Sequence, residues 1–253
     1  VLSWSGTDYD WIAAGGADLY AANEVTPTAQ PSATGANAVA IGDSAVASGS
    51  DSFAIGDNAD ATSGGAIAIG TGAQSTSFHT IAIGESSSAS GNRAMALGRT
   101  ASASADYSTA IGLNSSVQGS VTATGAGAMA LGGSYASGTD SFAAATTTNS
   151  ASYGARQNNA VVLGQAARST GAGGLALGNN ANVSGSHGLA IGRGSAASGA
   201  YSTALGYFNT ASGTNSVAFG ANSTASHEDS IVLGDTASSS AINQITLGST
   251  SDT

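Results

Sequence analysis

The chain has no cysteine, two prolines and only 8% charged residues. Without cysteine there is neither a disulfide framework nor a thiolate metal site. Lysine is also absent. The five basic residues are all arginine (Arg93, Arg99, Arg156, Arg168, Arg193) and face 15 carboxylates, for a formal net charge of −10. That balance repels phosphate backbones and anionic lipid, so no nucleic acid is expected as a partner. No run approaches the roughly 18 apolar residues of a membrane span, so no membrane insertion by this segment is expected. No secretory leader is legible, and the chain opens at Val1 rather than Met, which reads as a piece of a longer protein or a processed product.

What is abundant is small and apolar. Glycine accounts for 37 of 253 residues, and 41% of the chain is hydrophobic. Disordered low-complexity chains are usually charged and poor in aliphatics. Here the aliphatics return on a fixed beat. The glycine closing each apolar phrase falls at Gly42, Gly56, Gly70, Gly84, Gly98 and Gly112, then from Gly164 to Gly248, always fourteen residues apart. Between the two runs the beat stumbles: Gly112 to Gly132 is twenty residues, Ala145 stands where the next glycine is due, and Ala145 to Gly164 is nineteen. A sustained period of this length marks a stacked repeat architecture.

Each unit holds two short runs of period-two alternation, the mark of strands with one buried face. In the first strand bulky pairs flank a small residue: Phe53 and Ile55 around Ala54, Ile67 and Ile69 around Ala68, Met95 and Leu97 around Ala96. The second strand alternates small and polar, as in Ala59-Asp60-Ala61. Glycines between them supply tight corners. Two strands and two corners close one coil, and parallel stacking at about 4.8 Å per coil gives a rod of roughly 70 Å. The expected core is the bulky pair of each first strand, covered by the small residues opposite. The Ala column then forms a second face open to close approach, and so thin a roll is expected to associate.

The phrases "NAVAIGDSAVASG", "YSTALGYFNTASG" and "NSVAFGANSTAS" resemble the head repeats of YadA-like trimeric adhesins, whose unit reads S-V-A-I-G-x-x-A-x-A-x-G. The likeness spans Ala36 to Gly248. It implies an all-β fold, a left-handed parallel β-roll (solenoid) of 14-residue coils, in a side-by-side homotrimer. A basic neck, a heptad stalk and an anchor barrel are not found in this segment. Such repeats also occur in phage tail fibres, and the opening "VLSWSGTDYDWI" resembles an aromatic module that precedes them there. The organisation expected is an aromatic module at 1–12, a connector at 13–35, regular repeats at 36–112, irregular repeats at 113–163 and regular repeats at 164–253.

Catalysis is not expected. His79 and His187 share one column, five residues before the coil glycine, with Asp51, Arg93, Tyr107 and Tyr201. A position accepting such variety reads as an exposed corner. The two histidines are several coils apart and cannot share a metal, and no serine gathers a histidine and an acid into a triad. No cofactor is expected. Asp43 and Asp57 occupy one corner a coil apart and are the weak candidates for a calcium patch, with a solvated acidic face as the plainer reading. Glu85 and Arg99 form an exposed pair in the same column. An ice-binding surface would need a threonine ladder, whereas the outward column of the second strand reads Val46, Asp60, Gln74, Ser88, Ser102, Ser116. An acyltransferase solenoid would repeat every six residues.

Binding is expected instead. "VLSW" and "YDWI" around "SGTD" read as a hairpin with Trp4, Tyr9 and Trp11 on one face, which either caps the roll or holds a ligand. The two insertions read as lateral loops, Leu113–Gly127 and Thr146–Asn159, against the alternative that they relieve twist or join two rolls. Tyr153 and Arg156 in the second are residue types that concentrate binding energy. The function that follows is a structural and adhesive segment of an extracellular trimeric fibre. Its partners would be its own copies and a cell-surface receptor, glycan or matrix protein. It would sit on a virion appendage or, alternatively, in an autotransporter head on the bacterial surface.

Overall fold

The fold is given by a computed structural model describing residues 2–4, 9–11, 30–112, 120–144 and 152–248. Among the described residues there are strands and turns and no helix. The chain winds into a parallel β-solenoid of about fourteen turns. Its first strands, from Val39–Ile41 to Ile245–Leu247, stack into one 15-stranded sheet, and its second strands, from Ser32–Ala33 to Thr224–Ala225, into a 14-stranded sheet. Neighbouring strands are parallel and one coil apart, so Ile67 pairs with Ile81 and Ile69 with Ile83. This is the architecture the fourteen-residue period predicts.

In the regular repeats corners recur every seven residues, and a left-handed residue sits at each described one: Ser44, Asp51 and Asn58 have φ of 55°, 55° and 53°. The backbone ladder continues around them. The Asp51 N–H donates to the Ala36 carbonyl at 2.7 Å, and the Asn58 N–H to the Asp43 carbonyl at 2.8 Å. The coil glycine is held more strictly. Gly56 has φ of 131°, and a methyl group there would come within 2.6 Å of the carbonyl carbon of Gly70 in the next coil. Coil stacking at strand spacing leaves no room for a side chain at that point.

The expected core is reversed. Ala54, Ala68, Ala82, Ala96 and Ala110, the small residues between the bulky pairs, are wholly buried, and they face Ala47, Ala61, Ala89 and Ala103 of the second strands, also wholly buried. The bulky pairs point out of the roll: Phe53 is 42% exposed and Phe219 49%, with Ile83, Ile111, Met129, Leu163 and Leu233 also exposed. The reason is cross-section. A fourteen-residue coil with two short corners brings its sheets so close that its largest fully buried side chains are Val121, Val162, Val183, Val232 and Asn209. The Ala column is therefore the core and not the face open to approach.

Polar side chains in this narrow interior are bonded, with Thr246 Oγ1 in the last described coil the exception. Ser52, Ser202 and Ser216 each donate a hydroxyl hydrogen to the carbonyl three residues earlier at 2.7 Å. Asn209 stands in a column that is otherwise mostly Ala and Ser. Its Nδ2 donates to the Leu205 and Gly220 carbonyls, and its Oδ1 accepts from the Ser223 N–H and Oγ. Each bond replaces one lost to water, so the buried amide is tolerated.

Neither sheet breaks at the irregular repeats. Thr109 pairs with Met129, Met129 with Phe142 and Phe142 with Val161. The extra residues lie between Ile111 and Thr122 and between Ala144 and Gly154, in both cases after the first strand and before the second. The intervening coil is the short one, with Leu131 and Tyr135 closing the same corner. Parts of the expected loops are thus ordinary roll: Thr122–Ala123 and Gly154–Ala155 are strands. The sixth rung of the outward column is accordingly Thr122 rather than Ser116, which lies outside the described residues.

Candidate binding surfaces

The described surface has three kinds of feature: a stripe on one sheet, a polar face on the other, and the two corner edges. The stripe comprises the outward pairs of the first strands, two columns of Ile, Leu, Val, Met and Phe over fifteen rungs, interrupted by Thr109, Thr203 and Ala144. At about 4.8 Å per rung and roughly 10 Å of width it presents on the order of 700 Å². Contiguous apolar patches on soluble monomers seldom exceed a few hundred Å². The outer face of the second sheet offers Asp60, Gln74, Ser88, Ser102, Arg168 and Asn182 at the matching positions.

Side chains in one corner column meet their neighbours a coil away. Asn37 Nδ2 donates to Asp51 Oδ1 at 3.0 Å, and Asn215 Nδ2 to Asp229 Oδ1 at 2.9 Å. Arg99 Nε lies 3.0 Å from Glu85 Oε2, the pair expected from the spacing, with both side chains more than half exposed. Arg93 lies over the Tyr107 ring at 5.6 Å and donates to its hydroxyl at 3.2 Å. On the opposite corner Arg193 lies 5.7 Å from the Tyr207 ring and 5.5 Å from Phe208. These aromatic and arginine clusters are not visible in composition; they appear only when residues fourteen apart are aligned.

The expected site residues fall in separate places. Leu2–Trp4 and Tyr9–Trp11 form the antiparallel hairpin, with Leu2 opposite Trp11 and Trp4 opposite Tyr9. Tyr153 is half-buried and Arg156 exposed, at opposite ends of the strand Gly154–Ala155. Residues 113–119 and 146–151 of the two expected loops lie outside the described residues. Asp57 Oδ1 accepts a hydrogen bond from Asn58 Nδ2 at 2.7 Å, and Asp43 Oδ1 lies 3.4 Å from Ser44 Oγ. Among the described residues no group of three or more histidines and carboxylates is placed to hold a metal, and no pocket opens. His79 and His187 stand at exposed corners. His227 Nδ1 lies 3.1 Å from both Ser226 Oγ and Ser239 Oγ, a contact that spacing did not announce.

The described chain is a repeat-built β-solenoid with an alanine core and a solvent-facing apolar stripe. Its repeats place it further. Residues 33–59, 75–99, 89–115, 155–181, 184–209 and 211–237 match the family described as YadA head domain repeat (2 copies). Together these segments cover more than half of the chain, and the chain belongs to this family. It is a family of surface-exposed adhesin heads, structural rather than enzymatic in type. No individual curated protein matches the chain.

Proposed function

We propose that this chain is the rod-like adhesive segment of an extracellular trimeric fibre. Three rolls pack side by side through the apolar stripe and carry equivalent binding surfaces outward. The observation that carries the reading is the stripe itself. An alanine interior buries little area per coil, at about 25 cal/mol per Å², and the bulkiest aliphatics are left in water unless another copy covers them. Three copies of each weak site on one rigid rod then gain from simultaneous attachment to a repeated target. The partners are its own copies and a receptor, glycan or matrix protein on a cell surface.

Two settings for the rod have support. The aromatic module at 1–12, which pairs as the hairpin its motif predicts, favours a phage tail fibre or virion appendage. Membership of the adhesin-head family favours a bacterial autotransporter. In both, the middle of the rod is a candidate receptor region, with regular repeats at 36–112 and 164–253 on either side of it. Both insertions fall between the first and second strands of a coil, after Ile111 and after Ala144, two coils apart. The test is a screen of the intact segment against immobilised matrix proteins and glycans, alongside a form with both insertions trimmed to the fourteen-residue unit. Loss of binding by a trimmed rod that keeps its mass supports lateral loops. Undiminished binding returns the receptor surface to the corners or to the N-terminal hairpin.

A further inference from the structure

Left-handed residues other than Asn, Asp and Gly stand on both corner edges, with Ser44, Ser86, Thr100, Ala166, Phe208 and Thr236 on the one that follows the first strand. The edge that follows the second strand carries a left-handed residue on fifteen rungs, and at ten of them the residue is Asn, Asp or Gly, the types that adopt this conformation most readily. The other five are His79, Arg93, Tyr107, His187 and Tyr201, with φ between 54° and 59°. They are not scattered. His79, Arg93 and Tyr107 occupy three consecutive rungs, and His187 and Tyr201 two more. Arg93, Tyr107 and Tyr201 are bulky residues of types that seldom adopt this conformation, and with the two histidines they are grouped and exposed, which points to use rather than drift.

The groups also begin in the same way. Beneath each histidine the preceding rung is glycine. A methyl on Gly65 would come within 2.6 Å of His79 Cδ2, and one on Gly173 within 3.0 Å of His187 Cδ2. The rung above His187 is Tyr201, whereas above His79 it is Arg93, with Tyr107 one rung further. His187 and Tyr201 stack with ring centroids 5.1 Å apart and planes 5° from parallel, while Arg93 lies over Tyr107 and bonds its hydroxyl. Tyr107 is 59% and Tyr201 60% exposed. One face of Tyr201 is taken by His187, and the residue as a whole stays more than half exposed. Beside the first group lie exposed Phe78, edge-on to His79 at 4.7 Å, and Asn92, whose N–H and Nδ2 both donate to Asp106 Oδ1. These are rings fixed in place before any ligand arrives.

We infer that the two groups are saccharide-binding platforms, taking neutral hexose or N-acetylhexosamine units of a surface glycan. A flat, ordered tyrosine face fits the C–H face of a pyranose, and its rim hydroxyl meets sugar hydroxyls. Around the first platform Asn92, Arg93 and Asp106 supply donors and an acceptor with one charge of each sign, which suits an uncharged ligand. A chain of net charge −10 disfavours polyanionic glycans. From Tyr107 to His187 is five rungs, about 24 Å along the rod, so one extended glycan or two neighbouring chains could occupy both platforms. The inference rests on the adhesive reading above and names its ligand class and place.

The test uses the intact trimer on an array of neutral hexose- and N-acetylhexosamine-terminated oligosaccharides, with sialylated and sulfated counterparts and immobilised matrix protein as separate arms. The variant is Tyr107→Asn with Tyr201→Asn, which installs the residue this column carries elsewhere and so preserves the fold. Neutral saccharides should be held by the parent and lost at least tenfold in the double variant, with trimer mass unchanged and thermal stability equal or higher. Tyr207→Asn, on the opposite corner, should bind as the parent does. The assignment is overturned if the parent holds no neutral saccharide, if it prefers the anionic arm, if both variants weaken alike, or if the double variant changes the oligomer mass. Attachment to matrix protein that survives the double substitution, with no neutral saccharide held, leaves the adhesive reading standing and removes this one.

Discussion

The two sheets of the roll share one interior and differ in everything they show to solvent. Ala82 on the first sheet and Ala89 on the second are both wholly buried. Outside them, Ile81 and Ile83 stand on one sheet and Ser88 on the other. The interior is nearly uniform from coil to coil, because only small side chains fit between sheets this close, with valine, Thr80 and one bonded asparagine among the largest. On the proposed reading, folding of the coil and association of the rod are specified by different residues on the same strand, one position apart. A single-residue slip would exchange them.

That contrast can be broken outright. Deleting Asp43–Gly49 removes half a coil and sets first-strand sequence into the second sheet, so the apolar stripe changes sides along the rod. We expect loss of the trimer and of the cooperative melt, read by light scattering and thermal denaturation. Deleting Asp43–Gly56, a whole coil, should leave a folded rod shorter by about 4.8 Å. Equal stability of the two deletions would refute one coil per fourteen residues.

A smaller effect separates interior from stripe. Ala82→Leu overpacks the narrow core and should destabilise the fold by about 1–3 kcal/mol in chemical denaturation, as should Ala68→Leu and Ala96→Leu. The reverse change on the stripe, Ile83→Ala, should leave the coil fold intact and weaken association. The smallest effect is at the edge. Glu85→Gln, which removes the exposed partner of Arg99, should shift stability by less than about 1 kcal/mol and fade further with added salt.

Much of this was readable beforehand, and the failures have physical causes. Gly56 and its equivalents mark a corner that only glycine can turn, so the period, the parallel ladders and the register of Ile67 on Ile81 follow from spacing alone. The hairpin register of Trp4 on Tyr9 follows from its turn length. The sense of the first strand did not follow, because bulky residues are assumed to face inward when one chain is considered by itself. The correction was latent in Ala54 and Ala61. Both strands carry alanine in phase, which only makes sense if the two alanine columns face each other. The corner aromatics were legible as exposed but not as exceptional, since the departure of Tyr107 and Tyr201 from Asn, Asp and Gly matters only once φ is known to be positive.

The central claim is that the outward bulky pairs, and not the alanine columns, join three copies. Its most direct test is the solution mass of the intact segment beside Ile83→Asp with Leu97→Asp on the stripe and Gln74→Asp with Ser88→Asp on the second sheet. The account predicts three times the 23.9 kDa chain mass for the parent and the second-sheet variant, and a single chain mass for the stripe variant. A parent that is a stable folded monomer at micromolar concentration, or a stripe variant that stays trimeric, would contradict it.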